Sequence, residues 1–145
     1  MTNLIQGHCH CANISVQAEL SRKPDQFTPR ACDCDFCRKH GAAYISDAQG
    51  KLSIQCRSAA NALRYHQGSG TVDFLLCRHC GVLVAALWED NGRTYAALNA
   101  QILDNPATLG APQPASPRLL PLQERMARWR TLWFADVRIT QDTMD

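Results

Sequence analysis

The sequence has no apolar run approaching the roughly 20 residues that a membrane-spanning helix needs. Its first residues, Met1-Thr-Asn-Leu-Ile-Gln-Gly, lack the basic start and apolar stretch of a secretory signal. Both absences predict a cytoplasmic protein with no membrane partner. Aromatics are sparse, at 7% of the chain, and no long basic run occurs. A nucleic-acid footprint of clustered cations with interleaved aromatics is therefore not expected. Internal repeats and low-complexity tracts are absent. An apolar content of 46% over 145 residues is enough for a packed core, which argues against a finger held together by metal alone. The length predicts one domain spanning residues 1–145.

Cysteine is what the chain has in excess. Seven of the eight fall into three tight groups: Cys9-His10-Cys11, Cys32-Asp33-Cys34-Asp35-Phe36-Cys37 and Cys77-Arg78-His79-Cys80. In a reducing compartment such clustering favours metal ligation over a disulfide framework. Zinc holds thiolate sulfurs at about 2.3 Å, so pairs two or three residues apart reach one ion with little chain distortion. Cys9, Cys11, Cys77 and Cys80 make one closed four-sulfur site. Cys32, Cys34 and Cys37 make a second site with one coordination position open. Closed sites are generally structural and open ones can act in catalysis. The competing reading closes the trio with Cys56, His40 or His66.

Two zinc ions also change the charge balance. Seven thiolates against two divalent ions move the net charge from +2 to −1. Arg30, Arg38, Lys39 and Arg78, near the cysteines, then read as counter-charges. Cys56 alternates with Leu52 and Ile54 and reads as a core thiol. His8, His10 and His79 flank ligands and are expected beside the metal or at the surface rather than on it. Asp33 and Asp35, between the trio cysteines, are either solvent-facing or a proton acceptor.

Period-two alternation predicts strands over Ile14–Leu20 and Leu52–Cys56. Further strands are expected over 41–45, 62–66, 71–76, 82–88 and 93–98, with Asn91-Gly92 as a hairpin turn. Residues 107–121 form a proline-rich loop. Leu122, Met126 and Trp129 fall at helical spacing, and 133–139 reads as a closing strand, so 122–145 is a C-terminal helix and strand. The fold class is mainly β with a short C-terminal helix.

The motifs Gly7-His8-Cys9-His10-Cys11, Cys32 to Gly41 and Leu76-Cys77-Arg78-His79-Cys80-Gly81 resemble the glutathione-dependent formaldehyde-activating enzyme family, which includes centromere protein V. The resemblance runs over about residues 5–106. It implies a β-tent fold of small antiparallel sheets around zinc. It also implies a structural zinc at Cys9, Cys11, Cys77 and Cys80, and a catalytic one at Cys32, Cys34 and Cys37. The implied activity is that of a carbon–sulfur lyase acting on a thiol–aldehyde adduct, S-hydroxymethylglutathione. Ala12 stands where the family usually has glycine. Arg38 and Lys39 are candidates to attract the carboxylates of a glutathione-like substrate. A non-catalytic zinc-stabilised binding module is the rival class, with Arg125, Arg128, Trp129, Arg130 and Trp133 as its contact surface. Iron–sulfur or redox-switch chemistry at the trio is a third.

Overall fold

The computed structural model describes residues 3–141; Met1, Thr2 and the end of the expected C-terminal segment, 142–145, lie outside the described residues. In chain order the strands and helices are β1 (Asn3–His8), β2 (Ile14–Leu20), β3 (Arg30–Cys32), α1 (Asp35–His40), β4 (Tyr44–Ile45), β5 (Lys51–Cys56), β6 (Ala62–Tyr65), β7 (Asp73–Cys77), β8 (Leu83–Asp90), β9 (Arg93–Asn99), β10 (Gln113–Ala115), α2 (Leu122–Leu132) and β11 (Asp136–Gln141). The architecture is mainly β, as expected. A four-stranded sheet runs β1-β2-β5-β11, and a seven-stranded sheet runs β10-β3-β4-β9-β8-β7-β6.

Most pairings are antiparallel, but β11 pairs parallel with β5, and β10 parallel with β3. Both late strands return after long excursions, and only such excursions allow parallel pairing. The proline-rich stretch is thus less irregular than its composition predicts. Pro114 sits in β10, at a sheet edge where a missing N–H costs no ladder bond. The Asn91-Gly92 turn joins β8 to β9 with positive φ at both residues, as a tight two-residue hairpin requires.

The seven-stranded sheet is the middle layer, because side chains alternate across a strand. On β7, Leu75 and Cys77 point into a core shared with Val16, Leu52 and Ile54 of the smaller sheet. Phe74 and Leu76 point the other way, into a second core with Cys37, Trp88, Trp129 and Trp133. Leu122 and Met126 pack against that second core, so the helical stripe read from the sequence holds α2 on the sheet.

Strand β1 carries the glycine with the least room. A Cβ on Gly7 would lie 2.7 Å from Leu103 Cα and against the Ile102 carbonyl. Gly7 also bridges Leu103 backbone to backbone, so neither side can yield cheaply. Gly7→Ala is expected to cost about 2 kcal/mol, read as a lowered urea midpoint with an unchanged slope.

Candidate metal centres and active-site cavity

The first sulfur cluster is assembled by two turns. Cys9 and Cys11 do not lie on one strand, as their alternate spacing suggests. They sit in the tight connection from β1 to β2, where Ala12 N–H donates to Cys9 O (3.0 Å) and Ala12 takes a left-handed φ of 66°. Cys77 and Cys80 sit in the connection from β7 to β8, where Gly81 (φ 80°) donates its N–H to Cys77 O at 2.7 Å. The four sulfurs lie within 4.8 Å of one another. Cys9 and Cys11 are 3.8 Å apart and Cys11 and Cys77 3.6 Å. A tetrahedron with metal–sulfur bonds of 2.3 Å has edges of about 3.8 Å, so the donor set fits a tetrahedral ion.

Backbone amides support these sulfurs. Ile14 N–H donates to Cys9 Sγ (3.2 Å) and Cys80 N–H to Cys77 Sγ (3.5 Å). Burial pushes the Cys9 thiol up to about 12. Burial also opposes ionisation of Cys80, but backbone hydrogen bonds at Cys11 and Val82 outweigh it and hold Cys80 at about 6. Cys9 and Cys77 have no exposed surface.

The trio lies on the other side of the seven-stranded sheet. Cys32 ends β3, Cys34 caps α1 and Cys37 sits one turn inside it. This short helix was not legible from apolar spacing. Its sulfur cap, Cys34 Sγ accepting from Cys37 N–H at 3.4 Å, is what curls the chain so that all three sulfurs converge within 4.8 Å. Gly41 closes the helix at φ 62°, with its N–H on Arg38 O. A hydrogen bond from Cys37 pulls Cys32 down to about 6. Sharing with Cys32, and then burial, pushes Cys37 up. Within the trio the thiolate form is thus favoured at Cys32 and disfavoured at Cys37.

Among the described residues no fourth cysteine, histidine or carboxylate joins the trio. Cys56 is buried in the opposite core. His40 packs against the Phe36 ring, and His66 pairs with Asp73. His10 and His79 are exposed, and His8 touches the Cys9 carbonyl and faces Asp104 (3.7 Å). Asp35 is exposed beside Arg38 (3.6 Å). Asp33 accepts from Ser116 Oγ at 2.6 Å and from Arg118 at 3.2 Å, tying the trio to the proline-rich segment; both contacts lower its pKa. All eight cysteines are free thiols.

Instead of a fourth ligand, the trio faces a cavity of about 700 Å³. Its floor is Cys32, Cys34, Cys37 and Tyr44, and its far walls come from 113–120 and from α2. Tyr44, buried, has its hydroxyl 3.1 Å from Cys37 Sγ. Burial, then the neighbouring thiolates, raise its pKa and keep it a phenol donor. Gln67 Nε2 approaches Cys34 Sγ at 3.9 Å. Sequence reasoning missed both residues, since each reaches the trio from outside its segment, Tyr44 from the next strand and Gln67 from the loop after β6. Arg38 and Lys39 do not line the cavity; Arg30, Arg118, Arg125 and Arg128 do.

Residues 4–117 match the sequence profile of the glutathione-dependent formaldehyde-activating enzyme. The chain belongs to that family. The match ends part-way along the cavity wall, before Arg118 and α2. A crystal structure of a Rhodobacter sphaeroides protein is similar, at 29% identity and a TM-score of 0.51. That similarity covers 68% of this chain and 87% of the other. No curated protein matches the chain. Among the described residues no helix is long and apolar enough to cross a membrane.

One local cost stands out in the first cluster. A glycine at position 12 would suit the left-handed conformation found there, whereas Ala12 must place a Cβ in it. Ala12→Gly is expected to raise stability by about 0.5–1 kcal/mol, visible as a higher thermal midpoint of the metal-loaded protein.

Proposed function

We propose that the protein is a zinc-dependent carbon–sulfur lyase-type enzyme of the reducing cytoplasm, acting on a thiol–aldehyde adduct such as S-hydroxymethylglutathione. One zinc ion would be held by Cys9, Cys11, Cys77 and Cys80, and a second by Cys32, Cys34 and Cys37. The observation that carries this reading is the contrast between a sealed four-sulfur cluster and a three-sulfur cluster opening on a cavity. A binding module would have no need of that vacancy.

A metal at the trio supplies electrophilic stabilisation of a sulfur or oxygen. The remaining work falls to the chain. The reaction makes or breaks one bond: a thiol adds to an aldehyde carbon, and its proton passes to the carbonyl oxygen. In reverse, the hydroxyl proton leaves as the carbon–sulfur bond breaks. Tyr44, whose hydroxyl lies 3.1 Å from Cys37 Sγ and is kept protonated by burial, would turn its one O–H from that sulfur to the oxygen. Trp129, Trp133 and Phe74 restrict water at the reacting end.

Two measurements test the reading. Cobalt-loaded protein titrated with glutathione should change its sulfur-to-metal absorption, and the zinc-loaded protein should alter the rate of adduct formation or breakdown. Neither effect in properly loaded protein would end the proposal. Tyr44→Phe should lower kcat about 10²-fold, the loss typical of one oxyanion donor, with the metal content and denaturation midpoint retained.

A further inference from the structure

Four arginines border the cavity, and among the described residues no aspartate or glutamate does. Arg118 is paired with Asp33. Arg30 of β3 and Arg125 and Arg128 of α2 form no ion pair among the described residues. Arg30 donates to Ser46 Oγ at 2.8 Å, leaving the rest of its guanidinium toward the cavity. Arg128 lines the same cavity without an ion pair, and burial, then the charge of Arg128, lower the pKa of Arg30. Arg125 Nε is buried with no hydrogen-bond partner. Arg125 and Arg128 stand three residues apart, a spacing that puts side chains on one helix face about 5–6 Å from each other. Like charges gathered in a cleft with an unsatisfied donor are unfavourable without an anion between them.

We propose that Arg30, Arg125 and Arg128 form an oxyanion subsite that selects substrates bearing a carboxylate or phosphate group away from the reacting carbon–sulfur bond. This deepens the lyase reading and rests on it for the reacting end. Trp129, Trp133, Leu119 and Leu132 lie along the same walls and fit a short apolar stretch between the two ends. Both arginines of α2 fall outside residues 4–117, so two of the three cations come from this chain's own terminal segment. The Arg38 and Lys39 pair cannot supply it from outside the cavity.

The test uses the whole zinc-loaded chain, titrated at constant ionic strength with sodium phosphate and, separately, disodium succinate. Binding is followed by calorimetry and by tryptophan emission, since Trp129 and Trp133 line the site. Saturable binding of either anion is expected. Arg125→Gln and Arg128→Gln should each weaken it about tenfold or more, the equivalent of one charge-assisted hydrogen bond. Arg130→Gln, on the same helix but paired with Asp90 at 3.1 Å, should leave it unchanged. Tighter binding of phosphate or of succinate identifies the oxyanion, and either supports the subsite. Absence of saturable binding, or equal losses in Arg130→Gln, overturns it. Cys34→Ser should retain anion binding while losing thiol binding. Anion binding without thiol binding in the wild type would refute the lyase reading alone. Thiol binding without anion binding would refute the subsite alone.

Discussion

Cys77→Ser is expected to leave no soluble, folded protein. Cys77 has no exposed surface and sits at the end of β7 in the main core. Its sulfur lies 3.6 Å from Cys11 Sγ, so an ion held there would tie the β1–β2 turn to the β7–β8 turn. A structural zinc site contributes on the order of 10 kcal/mol or more to folding, against a domain stability of about 5–15 kcal/mol. Serine neither replaces the thiolate nor tolerates burial without a partner. The measurements are soluble yield and far-ultraviolet circular dichroism after expression in zinc-supplemented medium. A soluble Cys77→Ser protein with the wild-type denaturation midpoint would show that the four-sulfur cluster does not hold the fold.

Cys34→Ser should behave in the opposite way. It should stay folded, carry one metal ion fewer, and lose about 10³-fold or more in turnover, since metal polarisation is worth several kcal/mol. Cys34 is partly exposed, and its structural duty is to accept the Cys37 N–H at the start of α1. Serine does that well, being among the best N-cap residues. The helix therefore survives while the ligand set drops to two sulfurs. Elemental analysis, the thermal midpoint and the rate of adduct turnover read the three effects separately. Collapse as complete as that of Cys77→Ser would mean that both clusters are structural.

The partition of sulfurs was legible in the sequence because ligand spacing is a local property. The means of assembly was not. Cys9 and Cys11 read as alternate residues of a strand, yet they converge through a turn that Ala12 enters at positive φ. Helix α1 gives no apolar period in six residues, and its cap is a metal-type thiol rather than a familiar capping residue. Strand β1 was missed because Leu4 is exposed and only Ile5 and Gly7 turn inward. Tyr44 and Gln67 reach the trio from outside its segment, a juxtaposition that no local pattern encodes, whereas Arg30, two residues before Cys32, was legible as a neighbouring charge. Arg38 and Lys39 were singled out for adjacency in sequence, but the turn of α1 carries them past the cavity. The α2 stripe of Leu122, Met126 and Trp129 packs as its spacing predicts, while Arg125 and Arg128, read as the contact surface of a binding module, line the cavity instead.

The profile shared with relatives stops at Pro117, midway up the chamber above the sulfurs. The basin thus lies inside the shared profile and much of the canopy beyond it. A designed graft after that point would exchange the upper lining while leaving the three sulfurs in place, much as a new keyhole plate can be fitted over an unchanged lock.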